Sequence, residues 1–511
     1  MTSKTGWKFA LFGVAAAVLA AVATPVGAAR AETTVSVGVV NDFAGWNPYA
    51  DSTAQMYMIW CQVYGCLGSY DAAKGDYEGM LAESWETDKK DPRIWSFHLR
   101  HGLKRQKDGK ELTAEDVVHS IDRIKHDPHT AQTNNVHPIK SVEAVDKYTV
   151  RLTTTAPTAP LLSYIFDRVI ITGKDLFEKY GAAADRKAPY GWGPYMLEDV
   201  QIGQRMVIRK NPDWPGTSTK SPDRIIYKLI KEDEPRVTAL LNGELQICEF
   251  IPPHLVERVE KAKGVHVASV PSAQDMFLAM NSKFKPWDNK KLRQAAAYAI
   301  DRDSIVKAIF QGRASLLDGP VGPGQYGYSP DVKPKYRYDP EKAKQLVKEA
   351  GFPDGVDVEL FVTPDRYVND RQIGEALSAM LNKVGIRAKL NTPQWSIEWP
   401  NVRKGKVPFY YQGRSSIIDP SPVLEQYFQT GVTPRIGYSN PALDKVLQAE
   451  RQEFDPARRK QLLLQAFDII QDEVPAFFLW RVNMNYGIAD NVEFQPRSDE
   501  RVFGADIVVK K

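Results

Sequence analysis

Short stretches in which every second residue is apolar recur along this chain. Between them lie segments in which apolar residues recur every three to four positions. The two-residue period predicts β-strands at several places. These are residues 34–40, 95–100, 148–153, 356–362, 387–390, 407–412 and 476–482. Because such strands alternate with helical segments throughout the chain, the pattern favours an α/β fold of lobes built on mixed sheets.

The predicted helices have clear start signals. Thr113 precedes Asp116 by three residues, which is the spacing of a capping interaction, and apolar residues follow at helical spacing. Further helices begin with a capping residue followed by proline, at Asp339–Pro340, Asn440–Pro441 and Asp455–Pro456. Gly351 is placed to end the first of these helices. We therefore expect well-defined helices between the strands.

The first 31 residues have the pattern of a secretory signal peptide. Lys4 and Lys8 precede an apolar run of 15 residues at positions 9–23, and Ala-Arg-Ala at 29–31 matches a cleavage site. A membrane anchor is the alternative, but the run falls short of the roughly 20 apolar residues that a spanning helix needs. No cysteine stands at the cleavage point to carry a lipid. We expect the mature chain to begin at Glu32 and to be free in a periplasm.

Length and charge limit the classes of protein. The chain of 511 residues has 67 Lys and Arg against 63 Asp and Glu, a formal net charge of +4. Loss of Lys4, Lys8 and Arg30 with the leader leaves +1, which is too small a bias to indicate nucleic-acid binding. The 480 residues of the mature chain suggest three domains of about 150 residues each.

The cysteines leave the disulfide pairing open. Cys61, Cys66 and Cys248 allow three single pairings, and a buried free thiol is equally open for each of them. Cys61 and Cys66 are the nearest pair in sequence. A bond between them would close a short loop and would stabilise the fold only modestly.

Motifs for catalysis and cofactor binding are mostly absent. The sequence has no G-x-S-x-G, H-E-x-x-H or phosphate-loop motif. Gly322, Gly324 and Gly327 match G-x-G-x-x-G, but Pro323 and the lack of a following helix pattern indicate a turn. The histidines at 119–137 span a helix end and a polar loop, so we expect no metal site and no cofactor. Two carboxylates suffice for glycoside hydrolysis, so that chemistry stays open.

Residues 393–427 carry many aromatic and polar side chains. They include Trp395, Trp399, Tyr410, Tyr411, Arg414, Ser416 and Asp419. Apolar walls with a few placed polar groups are typical of small-ligand clefts. Neighbouring residues of a strand point to opposite faces, so we expect at most one of the two tyrosines in a cleft and the other in a core. Core packing of both tyrosines is the alternative.

Seven segments occur in the order and spacing of one protein family. They are residues 81–85 (LAESW), 95–102 (WSFHLRHG), 112–118 (LTAEDVV), 191–195 (GWGPY), 293–303 (RQAAAYAIDRD), 339–351 and 438–441 (YSNP). From about residue 35 to residue 482, the chain resembles the large extracytoplasmic solute-binding proteins of ABC importers, the dipeptide- and oligopeptide-binding family.

This resemblance implies a two-lobed periplasmic binding protein fold with an extra inserted domain and a ligand cleft between the lobes. By motif order, the first lobe comprises residues 32–75, 190–284 and 483–511, the inserted domain 76–189, and the second lobe 285–482. It also implies a monomeric, non-catalytic receptor that encloses a small-molecule solute by hinge closure and delivers it to ABC transporter permease subunits in the inner membrane. An exported glycoside hydrolase and a metal or haem carrier are the rival classes.

Two departures from the family pattern bear on the ligand. Peptide-binding members have an aspartate three residues before the acid of an acid–Pro step, and it pairs with the α-amine of the peptide. Ser416 occupies that position before Asp419, and Trp192 stands where the family often has Thr. A hydroxyl cannot supply the missing charge, so a non-peptide solute such as a sugar or an opine is favoured over a dipeptide or oligopeptide. We expect ligand contacts from Trp46, Trp192, Trp395, Tyr410, Tyr411, Arg414, Ser416 and Asp419.

Overall fold

The computed structural model describes residues 1–2, 32–41, 45–50, 54–71, 74–216, 218–364, 366–414 and 418–510. The predicted signal peptide lies outside these ranges except for its first two residues, and Ser416 also lies outside them. Within the described ranges, no helix has both the length and the apolar character needed to span a membrane.

Strands and helices alternate through the chain. The strands are β1 (Thr34–Val39), β2 (Gly68–Asp71), β3 (Asp76–Gly79), β4 (Ala82–Thr87), β5 (Ile94–Leu99), β6 (Ile139–Ala144), β7 (Thr149–Thr154), β8 (Tyr195–Gln201), β9 (Arg205–Lys210), β10 (Arg224–Leu229), β11 (Ile247–Cys248), β12 (Val265–Pro271), β13 (Asp275–Met280), β14 (Ala314–Leu316), β15 (Val356–Phe361), β16 (Ile386–Asn391), β17 (Phe409–Arg414), β18 (Ala476–Ala489), β19 (Val492–Phe494) and β20 (Ile507–Val509). The helices are α1 (Ala54–Val63), α2 (Ala114–His126), α3 (Thr133–Val136), α4 (Leu161–Ile165), α5 (Lys174–Tyr180), α6 (Ala184–Lys187), α7 (Asp233–Leu241), α8 (Pro253–Glu260), α9 (Lys290–Ala299), α10 (Arg302–Ala308), α11 (Pro340–Glu349), α12 (Asp370–Asn382), α13 (Trp395–Arg403), α14 (Ser421–Phe428), α15 (Pro441–Gln452) and α16 (Pro456–Glu473).

Helix starts follow the capping signals in the sequence. The backbone N–H of Thr113 donates to Asp116 Oδ2 at 3.1 Å at the start of α2. The side chain of Asp339 accepts from the backbone N–H of Lys342 at 2.9 Å, and Pro340 is the first residue of α11. Gly351 follows that helix with a φ of +93°, a conformation that glycine adopts without a steric penalty. The predicted helix starts are therefore confirmed.

One mixed sheet extends through most of the molecule. Its strands run in the order β16-β15-β17-β13-β18-β11-β1-β10-β9-β8, and β12 and β14 also pair with β18. Parallel pairs such as β1 with β10 and β15 with β16 occur beside antiparallel pairs such as β13 with β17. A mixed sheet is what the sequence pattern predicts.

Strand β18 connects the two parts of this sheet. Its first half pairs with β13 and β14, and its second half pairs with β12 and β11. Beside it, the chain passes from β12 to β13 through residues 272–274. A buried ion pair joins the two crossing segments, with Arg481 Nε 2.6 Å from Asp275 Oδ1. The sequence pattern predicts a strand that ends at residue 482, and this prediction is wrong in length because β18 continues to Ala489.

Separate hydrophobic cores define two lobes. The first lobe packs β1, α1 and the second half of β18 around side chains such as Trp60 and Tyr486. The second lobe has a core on each face of its sheet, with Trp480 on one face and Phe467 on the other. Met276 of β13 belongs to a core of the second lobe. We therefore propose that the lobe boundary lies at residues 272–274, in place of the boundary at 284/285 expected from motif order.

The segment predicted to be an inserted domain contacts both lobes. Its antiparallel sheet, in the order β4-β5-β7-β6, shares the core of the first lobe. On another side it meets the second lobe, where Tyr164 Oη donates to Glu425 Oε2 at 2.7 Å. His137 Nε2 lies 3.1 Å from the same carboxylate oxygen. Contacts of this kind hold the second lobe against the rest of the molecule.

One disulfide ties the end of α1 to the loop that follows it. Cys61 and Cys66 are bonded, with Cα atoms 5.2 Å apart, whereas Cys248 of β11 is a buried free thiol. Of the pairings that the sequence leaves open, the one between sequence neighbours is formed. Burial raises the pKa of the Cys248 thiol to about 12.

Candidate ligand-binding site

Arginines and aromatic rings of the second lobe stack in a continuous series, which we call the arginine–aromatic ladder. Its members, in order along the stack, are Arg366, Trp395, Trp399, Arg435, Tyr427 and Arg414. Each guanidinium carbon lies 5.0 to 5.9 Å from the centre of the neighbouring ring. These are the distances of cation–π interactions.

The centre of the ladder follows from helix geometry. Trp395 and Trp399 are four residues apart in α13, so their side chains lie on the same face of the helix. Their ring centroids are 4.9 Å apart and their planes differ by 12°. Both rings are half-buried. Their faces are covered by each other and by Arg366 and Arg435, so the exposed part of the stack consists of ring edges.

The ends of the ladder are held by loop and strand structure. The backbone N–H of Arg366 donates to Asp370 Oδ2 at 3.0 Å, which fixes the loop between β15 and α12. Arg414 is the last residue of β17, and its guanidinium lies over the ring of Tyr427 in α14. The two arginines therefore stand at opposite ends of the same aromatic surface.

The ladder carries positive charge that no acid of the ladder balances. The Nε atoms of Arg366, Arg414 and Arg435, and Nη1 of Arg435, are buried and have no hydrogen-bond partner among the described residues. Burial lowers the pKa of the Arg414 guanidinium, and the like charges of Arg435 and Arg168 lower it further. A buried cation without a partner is costly, so an anionic group entering this site would be bound favourably.

Two acidic side chains of the first lobe, Glu249 and Glu500, interact with each other, and Glu500 also interacts with Arg366 of the ladder. Glu249, directly after β11, is 1% exposed, and its Oε1 atom has no hydrogen-bond partner in the described part of the chain. Burial raises the pKa of Glu249 to about 8, and the charge of Glu500 contributes in the same direction. Burial also raises the pKa of Glu500 to about 7, against the opposing effect of Arg366. Carboxyl groups with such pKa values are partly or mostly protonated at neutral pH and can then donate as well as accept hydrogen bonds.

The space between the ladder and the first lobe is the candidate site. The positive charge of Arg366 in the second lobe lowers the pKa of Glu500 in the first lobe, so the two groups are close enough to interact. At the other end of the ladder, the positive charge of Arg168 lowers the pKa of Arg414. The guanidinium of Arg168 lies 5.9 Å from the ring centre of Tyr57. A solute in this space would therefore contact an aromatic, cationic wall and a wall that presents carboxyl groups.

Trp395 and Arg414, two of the residues that the sequence indicates as ligand contacts, are members of the ladder. Tyr410 and Tyr411 point to opposite faces of β17, as the strand pattern predicts, and each belongs to a hydrophobic core. They are 2% and 4% exposed. Tyr410 Oη donates to the carbonyl oxygen of Arg435 at 3.4 Å. Tyr410 thus supports the ladder through Arg435, and our proposed site includes neither tyrosine as a ligand contact.

Asp419 forms a buried ion pair rather than facing the ladder with a free carboxylate. Its two oxygens accept from Arg459 Nη1 and Nη2 at 2.8 and 2.9 Å. Arg459 Nε also donates to Glu450, whose side chain is fully buried. Ser416, the other loop residue expected at the site, lies outside the described residues.

Of the two remaining tryptophans expected at the site, Trp192 is packed in a core, whereas the ligand contact expected of Trp46 stays a prediction. Trp192 is completely buried, and its Nε1 donates to the carbonyl oxygen of Lys110 at 3.0 Å. Arg105 covers the ring at 5.4 Å. Trp192 is therefore a core residue and not the aromatic face of the cleft that the sequence led us to expect. Trp46 is half-buried in the loop after β1.

Sequence reasoning misses four residues of the candidate site. Arg366, Arg435, Glu249 and Glu500 are distributed over both lobes, and only the fold brings them near one another. Glu249 alone has a local signal, since it is the single acid in the apolar run Ile-Cys-Glu-Phe-Ile at 247–251. Among the residues with described positions, no group of three or more His, Cys, Asp or Glu side chains is placed to hold a metal ion.

Comparison with known proteins identifies the class. The sequence profile of the bacterial extracellular solute-binding proteins, family 5, matches residues 76–466. The chain belongs to this family, whose members are solute-binding receptors of ABC importers. The resemblance seen in the sequence is thereby confirmed.

Individual relatives agree over nearly the whole chain. The dipeptide-binding protein of Escherichia coli K12 is 28% identical over 85% of this chain and 86% of its own length. The glutathione-binding protein GsiB of Escherichia coli O1:K1 is 29% identical over 91% of this chain and 90% of its own length. The solved structure of the periplasmic binding protein DppA from Helicobacter pylori, in complex with the peptide STSA, is 25% identical and covers 94% of this chain and 98% of that one, with a TM-score of 0.82. The two-lobed fold expected from the sequence is confirmed.

Proposed function

We propose that this receptor captures an anionic, polar solute of non-peptide type, such as a sugar acid or an opine, in the space between the ladder and the first lobe. The observation that carries the proposal is the absence of a free carboxylate on Asp419, because both of its oxygens accept from Arg459. With Ser416 three residues earlier, this loop offers no free negative charge to a peptide α-ammonium. Arg414 in the same loop instead suits a carboxylate.

The opposite wall supports the same ligand class. Glu249 and Glu500 have raised pKa values of about 8 and about 7, so their neutral forms are populated near neutral pH. A neutral carboxyl group both donates and accepts, as a hydroxyl-rich solute requires. The uncovered edges of the stacked Trp395 and Trp399 provide an apolar surface against which a solute packs.

A dipeptide or oligopeptide receptor is the second candidate. Relatives at 28% and 29% identity are named for binding dipeptides and glutathione, respectively. In that case the acidic group for the peptide amine would be Glu249 or Glu500 rather than a residue of the 414–419 loop.

Native mass spectrometry of protein purified from its own periplasm distinguishes these candidates by the mass of the solute that is retained. Calorimetry with di- to pentapeptides, neutral oligosaccharides and sugar acids then ranks affinities. Sub-micromolar binding of several unrelated peptides would contradict the non-peptide proposal. Recovery of the solute unchanged after long incubation is expected of a receptor, whereas a glycoside hydrolase would release products.

Solute binding is expected to have two simultaneous effects, closure of the lobes and stabilisation of the fold. At a solute concentration one hundred times the dissociation constant, mass action adds about 2.7 kcal/mol to the free energy of unfolding. Small-angle scattering should show a smaller radius of gyration in the same samples. A higher melting temperature with an unchanged radius of gyration would argue against closure about β18 and the 272–274 segment.

Replacement of Trp395 by alanine is expected to weaken solute binding by about 1 to 3 kcal/mol, because the solute loses apolar contact with the indole ring. The fold should persist, since the ring is half-buried. Ile397→Ala on the same helix is the matched control, because Ile397 is 60% exposed and outside the ladder. Calorimetry and thermal unfolding of both variants provide the test. Loss of folding in Trp395→Ala without a separate binding defect would mean that the ring serves only packing.

A further inference from the structure

Buried arginines elsewhere in the second lobe have acidic partners. Arg459 is paired with Asp419 and Glu450, and Arg481 is paired with Asp275 at 2.6 Å. In these pairs, a carboxylate of the same lobe neutralises each buried guanidinium. The ladder arginines differ, since none of Arg366, Arg414 and Arg435 forms an ion pair or a side-chain hydrogen bond among the residues that have described positions.

Two of the unpaired guanidinium groups converge on one ring. Arg435 lies 5.0 Å and Arg414 lies 5.9 Å from the centre of Tyr427. Arg435 is 6% exposed, and its Nε and Nη1 donors are unused. Two like charges brought together at a buried ring repel each other, and an anion at the edge of that ring would accept hydrogen bonds from both.

The third guanidinium group is too far along the ladder to share that anion. Arg366 is 5.0 Å from the ring centre of Trp395, while Arg435 is 5.0 Å from that of Trp399. The two stacked indoles, with centroids 4.9 Å apart, therefore separate the arginines. A second anionic group on the same solute is needed to satisfy Arg366.

We propose that the solute of this receptor carries two negatively charged groups, one bound by Arg414 and Arg435 beside the Tyr427 ring and the other bound by Arg366, with its middle portion against Trp395 and Trp399. This inference rests on the proposed function and specifies its ligand as an organic dianion. Glu249 and Glu500 then face the middle portion and hydrogen-bond to its hydroxyl or amino groups.

The first test needs no ligand. Arg414→Met and Arg435→Met keep an apolar stem but remove an uncompensated charge, so the melting temperature of the ligand-free protein should equal or exceed that of the wild-type protein. Arg459→Met removes an arginine that is paired with Asp419 and Glu450, so it should lower the melting temperature. Arg387→Met, at an exposed position, is the neutral control. A melting temperature below the wild-type value for either ladder variant would mean that the arginine stabilises the empty protein and would overturn the proposal.

The second test uses matched probes at equal ionic strength. Glucarate and gluconate differ by one carboxylate, as do glutathione and its monoethyl ester. In at least one pair, the member with two carboxylates should raise the melting temperature of the wild-type protein more than the member with one carboxylate. The dissociation constant of the member with two carboxylates, from thermal titration, should rise at least tenfold in Arg435→Met and remain unchanged in Arg387→Met. Equal responses to both members of every pair, or an unchanged constant in Arg435→Met, would contradict the proposal.

The identity of the co-purified solute separates this inference from the proposed function. A bound solute with one acidic group or none would disprove the dianion while leaving the receptor function intact. Product formation from a substrate, with no solute retained and no closure, would instead disprove the receptor function.

Discussion

Replacement of Arg481 by methionine is expected to lower the free energy of unfolding by about 3 to 5 kcal/mol at neutral pH, which is the usual effect of removing one partner of a buried ion pair. The side chains of Arg481 and Asp275 are 2% and 1% exposed, and their charged atoms are 2.6 Å apart. Burial raises the pKa of Asp275, and Arg481 opposes this rise. Without the arginine, Asp275 must remain as an isolated buried charge or take up a proton.

Urea unfolding at several pH values tests this expectation. A carboxyl group whose pKa is raised in the folded state stabilises the fold at low pH, so the defect of Arg481→Met should shrink as the pH falls and Asp275 is protonated. The double variant with Asp275→Asn should recover much of the lost stability at neutral pH, since no buried charge remains. A single variant within 1 kcal/mol of the wild-type protein, at a resolution of about 0.5 kcal/mol, would show that the pair contributes little.

The stability of the ligand-free protein is expected to decrease from pH 5 to pH 8 because of Glu249. The folded-state pKa is about 8, whereas an unperturbed glutamate has a pKa of about 4.3. Between these values the folded protein keeps a proton that the unfolded chain releases. The contribution of this proton is fully present below the unfolded pKa and is lost as the pH rises through the folded pKa. The integrated loss over this window is on the order of 3 kcal/mol.

Glu249→Gln should remove the part of this pH dependence that Glu249 contributes, since glutamine stays neutral at every pH, while the part from Glu500, with a pKa of about 7, should remain. Urea unfolding from pH 5 to pH 8 should give a flatter stability profile for Glu249→Gln than for the wild-type protein. Glu83→Gln serves as the control, because Glu83 is exposed on β4. Parallel profiles for the wild-type protein and Glu249→Gln would contradict the expected titration.

Local signals in the sequence were sufficient for helix starts but not for the length of β18. A capping residue and its acceptor lie within three residues of each other, as with Asp339 and Lys342, so the interaction can be read directly. In β18, Asn483 and Asn485 interrupt the apolar pattern and indicate an end to the strand. The strand continues because β12 and β11 supply distant hydrogen-bonding partners for its second half.

The candidate site shows the same limit. Trp395 and Arg414 stand out in sequence because they lie in a short aromatic and polar segment, whereas Arg366 and Arg435 come from separate loops. The neighbours of an arginine in sequence do not reveal whether an acid will reach its guanidinium in the fold. Asp419 shows the same limit, because its position beside Pro420 suggests a ligand contact, whereas the sequence does not show that Arg459 of α16 pairs with both of its oxygens.

The burial of Cys248 affects how long the Cys61–Cys66 bond persists. Disulfide exchange requires a thiolate, and a thiol with a pKa of about 12 is ionised in roughly one molecule in 100,000 at pH 7. The third cysteine can therefore compete for a partner while the chain is still unfolded, but not after β11 has joined the sheet. Once the fold is complete, scrambling from within the molecule is blocked, and only an external thiol could open the bond.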